Sequence, residues 1–166
     1  MLKEKILQNL NVAVKEKKDV ETLVLRQLLA SILNKEKEKR FKVSKEKSGL
    51  SEKDLEKESQ LTDEETLDVV SYEVKKRRES IVEFEKGARK DLVDKEKKEL
   101  DILKAYLPEQ LSEEEIKRLV KEAIEKVGAK EQKDMGKVMA ELSPKTKGRA
   151  DGGLVSKIVK ESLVSL

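Results

Sequence analysis

The sequence predicts an all-α protein, and three observations carry that prediction. Apolar residues recur at three- and four-residue spacing along most of the 166 residues, as one face of a helix requires. Only two prolines and seven glycines interrupt the chain, too few for the closely spaced turns of an all-β protein. Charged residues are 44% of the chain, 38 cationic against 35 acidic, a mixed coat that suits exposed helix faces. The resulting net charge of +3 is not that of a strongly cationic nucleic-acid wrapper. Aromatic residues supply only 2%, so the core has to be built from Leu, Val and Ile.

The elements follow in order. Leu2, Ile6, Leu10 and Val14, widened by Leu7 and Ala13, define a first helix. Asp19 is placed to cap a second, which carries Val24, Leu25, Leu28, Leu29, Ile32 and Leu33 and is the most apolar of the N-terminal part. Neighbouring opposite charges over Lys35–Arg40 can extend it. Lys45-Glu46-Lys47-Ser48-Gly49 reads as a solvated loop, and Ser51 to Ser59 as one short helix anchored by Leu55 alone. Residues from about 43 to 60 are therefore expected to form a mobile charged insert. Thr62-Asp63-Glu64-Glu65 is a capping box, and the helix it starts runs through Leu67, Val70, Val74, Ile81 and Phe84 for ~35 Å. Arg77 falls on that apolar stripe where an aliphatic residue is expected. Gly87 ends the helix and Asp91 caps the next, whose face is Leu92, Glu96, Leu100, Leu103 and Leu107, making a long helical hairpin. Leu107-Pro108 closes it, because a residue before proline is pushed out of the α region.

Pro108 is the expected domain boundary, dividing an N-terminal helical bundle (1–107) from a small three-helix domain (108–166). Ser112-Glu113-Glu114-Glu115 is a second capping box, followed by Ile116, Leu119, Val120, Ala123, Ile124 and Val127 with Gly128 at the C-terminal cap. Met135, Val138, Met139 and Leu142 make a short helix. Asp151 caps a last one through Leu154, Val155, Ile158, Val159 and Leu163.

The absences are restrictive. With no His and no Cys there can be no thiolate or imidazole metal site, no disulfide, no Ser-His-Asp triad and no Cys-His pair. No Gly-rich phosphate loop is present, and nothing selects one acid–base pair from 35 carboxylates. No catalytic residue, cofactor or metal is expected. No apolar run approaches ~18 residues and Met1–Lys5 is not a signal peptide, so the expectation is a cytoplasmic protein with no membrane partner.

The stretch Leu142–Gly153 is the most informative. Lys145, Lys147 and Arg149 alternate in an expected loop, and a helix N-terminus follows. Leu142 to Lys160 holds five basic residues and one acidic, a concentration suited to phosphate. The competing reading is a solvated interhelical loop in which Asp151 is a plain N-cap occupying the anion position. A second cluster, Lys75-Lys76-Arg77-Arg78, reads as intrahelical ion pairs on a solvated face. Arg26 reads as the partner of a carboxylate on a neighbouring helix, and Met135 and Met139 as core.

Three ordered motifs then stand out: Tyr106-Leu107-Pro108-Glu109-Gln110-Leu111-Ser112-Glu113-Glu114, Lys133-Asp134-Met135-Gly136-Lys137-Val138-Met139, and Lys147-Gly148-Arg149-Ala150-Asp151-Gly152. With Leu25-Arg26 and Lys75–Ile81 upstream, nearly the whole chain resembles the GatB/YqeY family, in its free-standing YqeY-like form. It departs in the charged insert, about Val43 to Gln60, and in Gly153, where a polar residue is more usual. The resemblance implies a tail similar to the C-terminal domain of the glutamyl/aspartyl-tRNA amidotransferase B subunit, a helical domain that associates with tRNA. It implies phosphate-facing roles for Lys137, Lys145, Lys147 and Arg149. It also implies partners among tRNA or other structured RNA and the amidotransferase or aminoacyl-tRNA machinery. The label attached to such proteins, carbon–nitrogen ligase with glutamine as amido-N-donor, implies kinship, because this sequence holds neither the acid-activating domain nor the amidase subunit. A helical protein–protein adaptor with no nucleic-acid role is the alternative.

Overall fold

The computed structural model describes residues 1–47 and 49–164, and every regular element among them is helical. In order these are α1 (Leu2–Lys15), α2 (Asp19–Glu46), α3 (Glu52–Ser59), α4 (Asp63–Lys86), α5 (Lys90–Lys104), α6 (Glu113–Val127), α7 (Met135–Thr146, preceded by a 3₁₀ turn at Gln132–Asp134) and α8 (Gly152–Val164). The chain divides into two compact units, Met1–Tyr106 and a second beginning at Leu107.

In the first unit α1 packs on α2 and α4 on α5, and α2 also touches α3, α4 and α5. The 28-residue α2 is central because its apolar residues are the most deeply buried: Val24, Leu25, Leu28 and Ile32 are each at most 1% exposed. The stripe of α1 differs from expectation. Ile6 and Ala13 face the core, whereas Leu7 and Val14 are nearly half exposed, so the buried line rotates away from Val14. Leu33 of α2 also faces outward.

Helix α2 does not end at Lys45. It continues through Glu46, so Lys45 and Glu46 are helical rather than loop, and Ser48 of that expected loop lies outside the described residues. The helix persists because α3 lies against it. Arg40 reaches Glu52 at 2.8 Å, Lys47 pairs with Glu58, and Lys39 Nζ donates to the Gln60 carbonyl at 2.9 Å. Leu55 of α3 is half-buried and Ser59 is buried. Glu36 belongs to the run of alternating charge, yet it is only 8% exposed. Its carboxylate accepts both Lys3 Nζ contacts at 2.7 Å and the Leu61 N–H at 3.3 Å, stapling α1 and the start of α4 to α2.

Two expected caps are displaced. Asp19 is the first residue of α2 with Lys18 at N-cap, and Asp91 is the second residue of α5 with Arg89 at N-cap. The Arg89 guanidinium takes both Asp91 oxygens, at 3.1 and 3.0 Å, and holds that carboxyl below its usual range. Thr62 and Ser112 do form capping boxes with Glu65 and Glu115. Helix α5 stops at Lys104 rather than at Leu107.

The second unit closes α6, α7 and α8 around Ile116, Val120, Ala123, Val138, Leu142, Val155 and Val159, with Gly128 in the left-handed region (φ 65°) at the end of α6. Helix α7 runs a turn beyond Leu142, through Ser143, Pro144 and Lys145 to Thr146. Pro144 has no N–H to give that turn. Its absence leaves the Ala140 carbonyl without that helical donor, while Thr146 Oγ1 adds a side-chain bond to the Leu142 carbonyl at 3.0 Å.

Candidate nucleic-acid interface

Two of the sequence motifs are one local structure. Gln110 Nε2 donates to the carbonyls of Gly148 at 2.7 Å and Pro108 at 2.9 Å. The Leu111 N–H donates to the Arg149 carbonyl at 2.8 Å, and Arg149 Nε to the Glu109 carbonyl at 3.2 Å. Gly148 sits at φ 70°, and a Cβ there would meet the Pro108 ring at 3.6 Å. The Pro-Glu-Gln-Leu segment thus clamps the turn after α7, and the glycine permits the turn's left-handed backbone.

Around that turn stand three of the four expected cations. Lys145 lies in the last turn of α7, a helical position rather than the expected loop, 3.5 Å from Glu141. Glu141 also takes Lys126 at 2.6 Å, and these cations, Lys126 foremost, hold its carboxyl below the usual range. Lys147 is the C-cap residue. Arg149 is spent partly on Glu109. Lys137 stands apart: eight residues before Lys145 on the same helix, it is ~12 Å away along the axis. It pairs with Asp134 at 2.8 Å, which raises the lysine's pKa and lowers the aspartate's. The structure therefore gathers Lys145, Lys147 and Arg149 and leaves Lys137 at the opposite end of α7.

The helix N-terminus beside them is filled. Asp151 Oδ1 accepts the Leu154 N–H at 2.9 Å, and a Cβ on Gly153 would lie 3.0 Å from that oxygen. The protein's own carboxylate takes the position an anion would occupy, so phosphate contacts have to come from side chains.

The second basic cluster, in the first unit, differs from expectation at one residue. Lys75 and Lys76 do pair within α4, with Glu79 at 3.9 Å and Glu73 at 3.4 Å. Arg77 does not. Its side chain is 14% exposed, and it joins three helices. Nη1 contacts Glu96 at 3.0 Å and also Glu99, and Nη2 donates to Gln27 at 2.8 Å, while Nε is buried without a partner. These groups line a polar cavity of about 470 Å³ between α2, α4 and α5. The signal is present in the sequence: Arg77 and Glu96 each interrupt an apolar stripe, on consecutive helices. Arg26, by contrast, is exposed and forms no ion pair, so the expected partner on a neighbouring helix is absent among the described residues.

In two described Ser–Lys neighbour pairs the lysine is engaged elsewhere than on the serine. Lys157, beside Ser156, is exposed and near Glu161, and Lys45, beside Ser44, lies over the Phe41 ring. No group of three or more acidic side chains among the described residues could hold a metal ion, and no described helix is long and apolar enough to cross a membrane.

A two-unit, all-helical protein whose tail is organised by a clamp between two short motifs is the class that fold and site define. The sequence model of the YqeY-like proteins matches residues 46–163, and the chain belongs to that family. A curated relative from Pyrenophora tritici-repentis (strain Pt-1C-BFP), altered inheritance of mitochondria protein 41, mitochondrial, is 39% identical over 104 residues. That match covers 60% of this chain and 56% of the relative, so it spans little more than half of that protein.

Proposed function

We propose that this protein is an RNA-binding accessory factor that contacts tRNA through the turn after α7. One observation carries the reading: Lys145 in the last turn of α7, and Lys147 and Arg149 just after it, fall within five residues beside a turn whose backbone is pinned at Gly148 and Arg149 by Gln110 and Leu111. A fixed backbone presents cations to phosphate at lower entropic cost than a free loop. The likeness of the tail to the amidotransferase B subunit's C-terminal domain supports tRNA as the ligand, and kinship without autonomous catalysis as the relation to amide transfer. Lys137, tied to Asp134 at the far end of α7, is a peripheral contact.

The test is tRNA binding across a salt series. Lys145→Ala with Lys147→Ala should weaken binding and flatten the log–log salt slope by about one unit for each phosphate no longer neutralised. Arg149 is better kept, because its Nε holds Glu109 and its removal would disturb the clamp. Unchanged affinity in a double variant with wild-type circular dichroism would remove the tail turn as the RNA site.

A further inference from the structure

The outward face of α2 intersperses apolar and basic side chains. At the three- and four-residue steps that keep to one helix face, it reads Leu23, Arg26, Ala30, Leu33, Lys37 and Phe41. All six are exposed, with Leu23 at 45%, Leu33 at 49% and Phe41 at 61%. Arg26 and Lys37 have no carboxylate partner among the described residues. Lys45, one turn beyond, lies with its ammonium 4.3 Å from the Phe41 ring centroid. The chain has 35 acidic residues, and none falls on this ridge between Leu23 and Phe41; the exposed Asp19, one turn before Leu23, marks its acidic end. Glu36 is buried against Lys3, and Glu38 pairs with Lys35 on the flank. From Leu23 to Phe41 the ridge runs ~27 Å.

We infer that this face of α2 docks on an anionic lipid bilayer, with Leu23, Leu33 and Phe41 at the headgroup–acyl boundary and Arg26, Lys37 and Lys45 against lipid phosphates. The cations call for an anionic ligand, and the apolar side chains between them choose among anionic ligands. Nucleic acid would satisfy the charges and could stack one base on Phe41, but it offers nothing to the aliphatic Leu23 and Leu33. An acidic partner helix would need a continuous apolar stripe to receive its i, i+3, i+4, i+7 anchors, whereas Arg26 and Lys37 break the apolar residues of this ridge apart. A bilayer surface is broad, receives apolar side chains and cations together, and lets long basic side chains rise to the phosphates. The expectation of no membrane partner follows from the missing span, and a surface-lying helix needs no span.

The chain has no tryptophan, so Phe41→Trp installs a single fluorescent probe on the face. Full-length protein is mixed with vesicles of phosphatidylcholine alone or with about one-third phosphatidylglycerol. Co-sedimentation and a blue-shifted emission are expected with the anionic vesicles only, weakening as salt rises. Arg26→Gln with Lys37→Gln should weaken binding roughly twentyfold or more, at about fivefold per cation. Leu33→Asp with Phe41→Asp should abolish it with helical content unchanged, because both residues are exposed. Lys145→Ala with Lys147→Ala should sediment like wild type. The assignment is overturned if wild-type protein does not sediment with anionic vesicles, or if the α2 variants sediment like it. Loss of tRNA binding with vesicle binding intact in the Leu33/Phe41 variant would instead give the face to RNA.

Discussion

Arg77 shows how one side chain can decide the packing of a bundle. It sits on the apolar stripe of α4, and its guanidinium is engaged by Glu96, Glu99 and Gln27 from two other helices. Glu99 is 3% exposed, and without the arginine the cation left to it among the described residues is Lys95, a mostly exposed side chain 3.9 Å away. Arg77→Ala should therefore cost about 3–5 kcal/mol, well above an ordinary surface change. Arg77→Lys should recover only part of that, since an ammonium cannot fork between two carboxylates and an amide. Urea unfolding followed by circular dichroism measures both, and a cost of ~0.5 kcal/mol for the alanine would mean the cluster is solvated. Backbone conformation makes a second contrast at this scale. Gly128 (φ 65°) and Ala88 (φ 53°) both occupy the left-handed position after a helix, each helix closing on its own carbonyls. Gly128→Ala should lose ~1 kcal/mol and Ala88→Gly should gain up to about as much. The same unfolding assay should show opposite signs for the two.

At the scale of the element, the capping boxes link helix starts to pH. Glu65 receives Lys39 Nζ and the Thr62 N–H, and these bonds hold its carboxyl below the ordinary value of 4.5. Glu115 is lowered the same way, first by the Ser112 N–H and then by its hydroxyl. A carboxyl lowered by folding stabilises the fold above its unfolded pKa, and that contribution is lost as pH falls through the folded value. Stability should thus be level above the ordinary carboxylate range and decline on acidification below 4.5. Thr62→Ala should cost ~1 kcal/mol near neutrality and make the acid limb shallower. Thermal unfolding at a series of pH values checks both. These boxes are legible in the sequence because their partners are three residues apart. So are the helical class and the core of α2. Features made between helices are not. The docking of α3 on α2, the staple at Glu36 and the Arg77 cluster depend on partners from 11 to 50 residues away. Charge alternation reads alike on a solvated face and on a buried seam. The candidate site is half legible: the cations of the tail can be picked out, but the clamp that fixes their turn joins residues 38 apart. Asp151, the carboxylate that fills the neighbouring helix end, is visible in sequence as a cap, and only the structure shows it engaged with the Leu154 N–H.

For the whole molecule, the division into two units makes a claim about cooperativity. The second unit has its own core of Ile116, Val120, Ala123, Ile124, Ala129, Val138, Leu142, Val155, Ile158, Val159 and Leu163, all supplied by residues after Leu107. Its first segment and the starts of two helices are fastened from within: Ser112 caps α6, Asp151 caps α8, and the clamp ties residues 108–111 to 148–149. A chain of this size buries only ~60% of its unfolded surface, so it folds with a narrow margin. A fragment beginning at Leu107 should therefore be helical by circular dichroism and unfold in urea as one sigmoid, with a stability of roughly 3–9 kcal/mol. The clamp supplies the sharper half of the prediction. An alanine at Gly148 must hold φ near 70° with its methyl 3.6 Å from the Pro108 ring, at a cost of ~1–2 kcal/mol. In the fragment that is a large share of the margin, and the urea midpoint should drop visibly. In the full chain the same substitution should shift the unfolding of the second unit and leave that of the first unchanged, since none of the first unit's core residues is touched. A fragment that melts without a transition, or a Gly148→Ala variant with an unmoved midpoint, would show that the tail needs the first unit to fold or that the turn is not held as described.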